Sequence, residues 1–406
     1  MTGDPRPGEP RPVLYIMDTL GLSGRTKGII DLALHLDPRR YRPIFCSLGE
    51  EVSELAERLR EREVPIEVLP LPPGLRPDGV AKLAALIRRH RVGVVHPVNP
   101  RPLLYAGLAA RLVGVRSTVG SLSAFACQTP DREYTFLPQE LVNRGRRQGL
   151  RNGLASLLMR YLVAVSDDLG ERFCRFTADA APGPLAPLAY RRLRGQMRTI
   201  SYGIDLGPYR AVTSPEIAEL RARIGAARDT VLVGSVGRLV EQKDYPTQLR
   251  AFALAARQEP RLRMVLAGDG PLRGEIEALA ARLGIAERIT LLGHWVRVPA
   301  LLRSLDVFVI ASKFEPYGVA LLEAKCAGSA IVATAVNEIP KLLGQGVTGM
   351  VVPPGSPEPM AAAFLALARD AGLRRAFAER AFAEAEQTHS IDAVARAYQA
   401  LYDHPS

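Results

Sequence analysis

Short apolar runs alternate with amphipathic helical patterns along almost the whole chain. VLYIM (13–17) precedes a Gly-rich turn and the helical pattern TKGIIDLALHL. PIFCSL (43–48) leads to a helix over 51–62, IEVLPL (66–71) to one over 79–90, and VGVVHPV (92–98) to one over 102–112. VRSTVGSL (115–122) and YLVAVS (161–166) complete the first series. Apolar runs this short, spaced by helices, are buried strands of βα units, which build parallel sheets. Residues 124–156 are polar and Arg-rich and predict a helix with a mobile flank. APGPLAPLAYRRLRG (181–195) is Pro-rich and without period, and reads as a surface insertion.

The alternation then restarts. TVLVGSVGRL (230–239), LRMVLAGDG (262–270), RITLLGH, VFVIAS (307–312) and AIVATAV are strands. PTQLRAFALAARQ, PLRGEIEALAARLG (ended by Gly284) and a stretch from about 318 to 327 are helices. A chain of 406 residues exceeds what one core usually serves. The fold class expected is therefore α/β with two Rossmann-like doubly wound domains, over 13–205 and 206–385. Residues 1–12 form a polar, Pro-rich disordered lead without the apolar stretch of a secretory signal. The tail, 386–406, carries a last helix over 391–403. Ligands of such folds bind at strand carboxyl ends and in the crevice between domains.

Composition narrows the picture. No run approaches the ~18–20 apolar residues of a membrane-spanning helix. Cys46, Cys127, Cys174 and Cys326 lie far apart, without metal-ligand spacing, and fit reduced buried thiols in a cytoplasm. The net charge of +11 is concentrated in residues 1–205, which hold 30 Lys and Arg against 21 Asp and Glu. Arg144, Arg146, Arg147 and Arg151 form one cluster, Arg191, Arg192, Arg194 and Arg198 another. Nothing matches a nucleic-acid-binding module, and no aromatic residues interleave the basic ones, so nucleic acid is not expected as a partner. An anionic membrane surface at the inner face and a plain solvated surface remain the two readings.

The sharpest chemistry lies in SKFEPYGVALLEAKCAG (312–328). Pro316, Tyr317 and Gly318 form a turn, and a helix starts near Gly318. A helix N-terminus presents unpaired N–H groups and favours an anion. Glu315 in the turn can accept from sugar hydroxyls, and Glu323 can accept from the paired hydroxyls of a ribose. Taken alone, two acids at this spacing are read as readily as surface glutamates beside a capped helix.

They are not alone. The segment resembles the donor-binding signature of the family 4 glycosyltransferases, retaining enzymes of the GT-B fold, and the resemblance extends over most of the chain. GSVGRLVEQKDYPTQLRAF (234–252) is similar to the family's VGRL…K segment, ISYGIDLGPY (200–209) to its NGVD element, and LAGDGPLR (266–273) and VTGMVVPPGSPE (347–358) also match. The resemblance implies an acceptor-binding N-terminal domain, a donor-binding C-terminal domain and a last helix returning to the first. It implies hexosyl transfer with retention from a nucleotide diphosphate sugar of UDP or GDP type, in cell envelope or glycoconjugate biosynthesis. Arg238 and Lys243 would hold the diphosphate, Glu315 the hexose and Glu323 the ribose. Gly21 and Gly24, in LGLSGRTKGII, stand where the family has a Gly-Gly loop touching phosphate. Pro316, Tyr317, Gly318, Val319 and Asn337 complete the expected donor surface. No cofactor and no metal are expected. Asp167–Asp168 is not a DxD pair and reads as a helix cap, and the cations with the helix N-terminus supply the charge the leaving group needs.

The chain departs from the family in three places. The family's histidine near the reacting sugar is replaced by VGSLSAF (119–125), with Ser121 and Ser123; His96 lies one strand earlier. His96 and Ser123 stand as candidate contacts to acceptor or sugar. The family's GGxPE loop reads NEIPK (337–341), which narrows the backbone room beside the donor. Tyr202 replaces Asn in the NGVD-like element. Acceptor, sugar and base are left open. The competing readings are a sugar-nucleotide epimerase or hydrolase, a catalytically weak nucleotide-sugar-binding partner subunit, and a basic non-enzymatic scaffold.

Overall fold

A computed structural model describes residues 9–21, 24–71, 75–122, 149–181, 183–315 and 317–403. The chain divides into two compact units, Met1–Gly203 with Ile391–Ser406, and Ile204–Ser390. The joins lie a few residues from 205 and 385. The helix Ala371–Thr388 runs to Thr388, and Ile204 then pairs with Ser390 as a short parallel bridge.

The first unit holds β1 (Arg11–Met17), β2 (Tyr41–Ser47), β3 (Ile66–Val68), β4 (Val94–Pro97), β5 (Ser117–Leu122), β6 (Tyr161–Ala164) and β7 (Met197–Thr199). All pairings are parallel, in the order β3-β2-β1-β4-β5-β6-β7. Val13 through Met17 are buried on both faces, which explains the unbroken apolar run. The helices Pro77–Arg89 and Pro100–Val113 both carry Pro in the first turn, where a missing N–H costs nothing.

Three expectations change. The helix expected over 51–62 is a 3₁₀ turn, Glu54–Ala56, and one α-turn, Glu57–Arg60, ended as Glu63 enters the left-handed region at φ 54°. The supposed insertion at 181–195 is a helix, Ala186–Gln196, with its Pro in the first turn, where it starts a helix instead of breaking one. Leu193 is buried on its inner face, and the Tyr190 hydroxyl donates to Glu171 at 2.8 Å. Asp167 and Asp168 occupy the first turn of the helix Asp167–Asp179, but the cap is Ser166, which accepts from Leu169 N at 3.1 Å. Residues 149–157 are helical, whereas 123–148, with Cys127, Arg144, Arg146 and Arg147, lie outside the described residues. Cys46, Cys174 and Cys326 are free and buried.

The helix Ile391–Asp403 packs into the core of this first unit through Ile391, Val394, Ala395, Tyr398 and Tyr402. Arg11 donates to the Tyr402 carbonyl at 2.8 Å, and the Tyr15 and Tyr402 hydroxyls lie 3.2 Å apart. His96 is fully buried between them and β5. Its Nδ1 is 2.6 Å from the Tyr402 hydroxyl, its Nε2 is 2.6 Å from Ser121 Oγ, and Ser121 is 3.0 Å from the Tyr398 hydroxyl. Burial lowers the His96 pKa from its ordinary 6.5 to about 3, so the folded ring is neutral.

This buried ring carries a pH signature. In the unfolded chain His96 takes a proton below pH ~6.5, whereas in the fold it does not. Its contribution is therefore fully present above that pH and is lost by about 1.4 kcal/mol per pH unit as pH falls toward 3. The His389 imidazole, in the second unit, is held down to about 4 by burial and then by the Lys325 charge, and adds in the same sense. Urea unfolding at pH 7.5 and pH 5 is expected to differ by about 2 kcal/mol less in His96→Gln than in the wild type. An unchanged difference would mean that the ring is protonated in the fold.

The second unit holds β8 (Val231–Val236), β9 (Leu262–Ala267), β10 (Ile289–Gly293), β11 (Val307–Ile310), β12 (Ala330–Thr334) and β13 (Met350–Val352). These are again parallel, in the order β10-β9-β8-β11-β12-β13. Phe252, Met264, Val309, Val332, Met360 and Phe364 are among the side chains of its core. The strand order reverses between β8 and β11. In an open parallel sheet the loops after the strands at such a reversal diverge and leave a crevice at the carboxyl ends.

Candidate functional site

The chemistry-bearing loops of the second unit follow the strands at that reversal and their neighbours. β8 runs into Gly237, Arg238 and Leu239, then into the 3₁₀ turn Glu241–Lys243. Asp244 takes φ 45° and caps the helix Tyr245–Ala256, accepting from Thr247 Oγ1 at 2.8 Å. β9 runs into Gly268, where φ is 138° and an added Cβ would lie 1.9 Å from the Gly237 carbonyl oxygen. Only glycine lets these two loops lie backbone to backbone, with Gly237 N donating to the Ala267 carbonyl and Leu239 N to the Asp269 carbonyl, each at 2.9 Å.

β11 leads to Glu315, and the surrounding loops fix it. Glu315 is 8% exposed. Its Oε2 accepts from Lys243 Nζ at 2.5 Å and from Ser312 Oγ at 3.1 Å. Its backbone N donates to Asn337 Oδ1 at 3.1 Å, so the loop after β12 holds it from the other side. Gln242 Nε2 donates to the Phe314 carbonyl at 2.7 Å, Lys313 N to the Gln242 carbonyl at 2.8 Å, and Thr334 Oγ1 to the Ser312 carbonyl at 2.8 Å. The result is a half-buried ammonium and a buried carboxylate locked together at the strand ends.

The loss of glycines in NEIPK does not distort this loop. Asn337 keeps the left-handed turn, at φ 46°, which Asn tolerates better than most residues. Glu338 lies at φ −80°, where no glycine is required.

Gly318, at φ 92°, begins the helix Val319–Ala327. A Cβ there would meet Ile339 at 3.0 Å, so the 337–339 turn lies against the helix start. Leu321 N and Leu322 N donate to the Gly318 carbonyl, and the amides of Val319 and Ala320 precede the helix's own ladder. Tyr317 is buried, and Pro316 lies outside the described residues. Glu323 stands in the second turn, half-buried. Two positions further, Lys325 is fully buried; its Nζ donates to the Leu342 carbonyl at 2.8 Å and pairs with Glu384 at 2.9 Å. Burial lowers its pKa, against the raising effect of Glu384. Lys325 ties the helix carrying Glu323 to two other elements. The only hint of it in the sequence is a cation within the apolar stretch VALLEAKCA.

Arg238 is exposed, and among the described residues its side chain makes no hydrogen bond or ion pair, unlike that of Lys243. Among the described residues no group of three or more His, Cys, Asp or Glu is placed to hold a metal ion.

In the first unit, Gly21 is buried after β1, and a Cβ there would meet the Glu51 carboxylate at 2.4 Å. Gly24 is exposed at the start of the helix Gly24–Leu34, with open space around it. The Tyr202 ring lies against Gly28, where an added Cβ would meet it at 3.2 Å. His96 is corrected: with no exposed surface and both ring nitrogens at hydroxyls, it is a core residue that no substrate reaches. Ser121 belongs to the same buried network. Ser123 lies outside the described residues.

Two parallel units, with a helix start and backbone-paired loops at the strand ends of the second, define an α/β protein of the two-domain kind. Residues 216–384 match the glycosyl transferases group 1 family. The alpha-D-kanosaminyltransferase of Streptomyces kanamyceticus is 32% identical over 194 residues, 47% of this chain and 50% of that protein. A D-inositol 3-phosphate glycosyltransferase of Mycolicibacterium gilvum is 31% identical over 223 residues, 52% of this chain and 48% of its own length. The chain thus spans about half the length of these curated relatives. Among solved structures, Anabaena Alr3699/HepE in complex with UDP superposes with a TM-score of 0.75 at 20% identity, over 96% of this chain and 99% of that one. The fold is GT-B. Over residues 216–384, within its second unit, the chain is similar to the group 1 glycosyltransferases.

Proposed function

We propose that the chain is a retaining glycosyltransferase moving a hexosyl unit from a nucleotide diphosphate sugar, of UDP or GDP type, to a saccharide, lipid-linked or small-molecule acceptor without a metal ion. The observation that carries this reading is the Lys243–Glu315 pair at the strand reversal, beside the helix start at Val319. The relatives' names and the UDP held by the Anabaena protein support it. In the reaction the bond from the anomeric carbon to the β-phosphate oxygen breaks, the acceptor oxygen bonds that carbon on the same face, and the acceptor proton passes to the departing phosphate. Charge develops on the leaving oxygen, so preorganised donors aimed there lower the barrier. Lys243, Arg238 and the amides at Val319 and Ala320 are those donors. Glu315, oriented by Lys243, Ser312 and Asn337, accepts from the hexose hydroxyls. Glu323 accepts from the ribose.

The test is a panel of UDP-, GDP-, ADP- and dTDP-sugars, each incubated with EDTA, with and without acceptors, and read by NMR of the anomeric proton. Acceptor-dependent product of unchanged anomeric configuration is expected. Free sugar or an altered nucleotide sugar in the donor-only arm would make the chain a hydrolase or epimerase. Nucleotide binding without turnover would make it a partner subunit. Activity abolished by EDTA and restored by a divalent ion would remove metal independence.

We also infer peripheral contact with an anionic membrane from the first unit, on the cytoplasmic side. No helix among the described residues is long and apolar enough to cross a membrane. The helix 149–157 exposes Leu150, Leu154 and Leu157, spaced for one face, beside the exposed Arg151. Sedimentation with phosphatidylglycerol vesicles that is lost in Leu154→Asp is the expected result; equal sedimentation of both proteins would discard the contact.

A further inference from the structure

The helix Val319–Ala327 carries a second charged side chain besides Glu323, on its inner side. Lys325 follows Glu323 by two positions, about 200° around the helix, so the two point to opposite sides. Glu323 is half-buried, whereas Lys325 has no exposed surface. The Lys325 Nζ donates to the Leu342 carbonyl at 2.8 Å and lies 2.9 Å from Glu384 Oε1, on the helix Ala371–Thr388. One ammonium thus joins the helix of Glu323, the short helix Ile339–Leu342 and the helix Ala371–Thr388.

The second of these elements reaches the site. The turn 337–342 meets the helix Val319–Ala327 at both of its ends. At one end Ile339 lies 3.0 Å from where a Cβ on Gly318 would stand, and at the other Leu342 accepts from Lys325. Asn337, at the head of the same turn, accepts from the Glu315 backbone N at 3.1 Å. A shift of the turn therefore moves Glu315. Packing alone does not call for a lysine here. An apolar side chain of similar reach would fill the slot without desolvation, and such replacements of buried ion pairs are often neutral or stabilising. What the ammonium adds is direction, since it bonds two partners on different elements at once.

We propose that Lys325 is a positioning residue of the donor site, fixing the 337–342 turn against the helix so that Asn337 holds Glu315 in register with the hexose. The inference rests on the donor-site reading above, in which Glu315 meets the hexose and Glu323 the ribose. The helix keeps its own place without Lys325, because Leu321, Leu322, Ala324 and Cys326 are fully buried along it. Loss of the ammonium therefore acts on the sugar and spares the nucleoside.

The experiment titrates UDP and UDP-glucose calorimetrically into the wild type, Lys325→Met, Asn337→Ala and the double variant. Lys325→Met is expected to weaken UDP-glucose by about tenfold and to leave UDP within about threefold, the scale of one misplaced hydrogen bond to a charged group. Asn337→Ala is expected to show the same split. The double variant is expected to lose no more than the worse of the two single ones, because both residues act through one turn. Thermal unfolding of Lys325→Met is expected to stay close to that of the wild type. Should that variant not fold, Glu384→Gln, at the partly exposed partner, carries the test with the same split at about threefold. Parallel losses for UDP and UDP-glucose would make Lys325 a structural prop and overturn the proposal. Losses that add in the double variant, or UDP-glucose binding unchanged in Lys325→Met, would also overturn it. A wild type that binds no UDP would fail the donor-site reading first and carry this inference down with it, an outcome visible before any variant is compared.

Discussion

Lys243→Ala is expected to lower turnover by about 10²-fold or more, the loss seen when one stabilising donor to a developing anion is removed. Two effects combine in that variant. The leaving diphosphate loses a cation, and Glu315, 8% exposed, loses the ammonium at 2.5 Å that neutralises it. The double variant Lys243→Ala/Glu315→Ala separates them. It removes both members of the pair, so no uncompensated carboxylate is left and stability recovers toward the wild type. Turnover does not recover, because the charge that faces the diphosphate is still absent. Steady-state kinetics and thermal unfolding of the three proteins report the two effects independently. A loss of turnover below about threefold in Lys243→Ala would reduce Lys243 to the structural partner of Glu315.

Glu323→Ala is expected to act on binding instead. A carboxylate accepting two ribose hydroxyls contributes roughly 1.5–3 kcal/mol, so the affinity for UDP or UDP-sugar falls by about 10–100-fold. Glu315→Ala, by contrast, is expected to leave the affinity for free UDP within a few fold and to lower turnover and sugar discrimination, because UDP has no hexose for it to hold. Calorimetric titration of UDP into both variants checks the contrast. Equal UDP affinities in wild type and Glu323→Ala would remove the nucleoside role from Glu323.

The parts of this molecule encoded in short windows were legible. Eleven of the thirteen strands among the described residues read as apolar runs because helices cover both faces of the parallel sheets; the three-residue strands β7, whose Arg198 and Thr199 are exposed, and β13 did not. The helix at Val319 was legible because Gly318 marks its start and Gly328, at φ 72°, its end. The segment 181–195 was misread because its prolines signalled a break, and Pro in a first turn gives the opposite signal. Tertiary placement was not legible. His96 looked available at a strand end, but its partner Tyr402 is 306 positions away, on a helix whose docking no local pattern specifies. Lys325 was not singled out in the sequence, because Glu384 and the Leu342 carbonyl come to it only through the fold. Glu315 and Lys243 were expected at one site through resemblance. Their direct contact follows from the strand order, which sets the loops after β8 and β11 side by side.

Backbone hydrogen exchange with and without UDP tests the account most directly, since it asks which loops a nucleoside diphosphate covers. The expected footprint is slowed exchange confined to residues 237–243, 313–323 and 337–339, all at the carboxyl ends of the second sheet. Protection of some other surface, or none at saturating UDP, would contradict a leaving-group site built around Lys243 and the helix start.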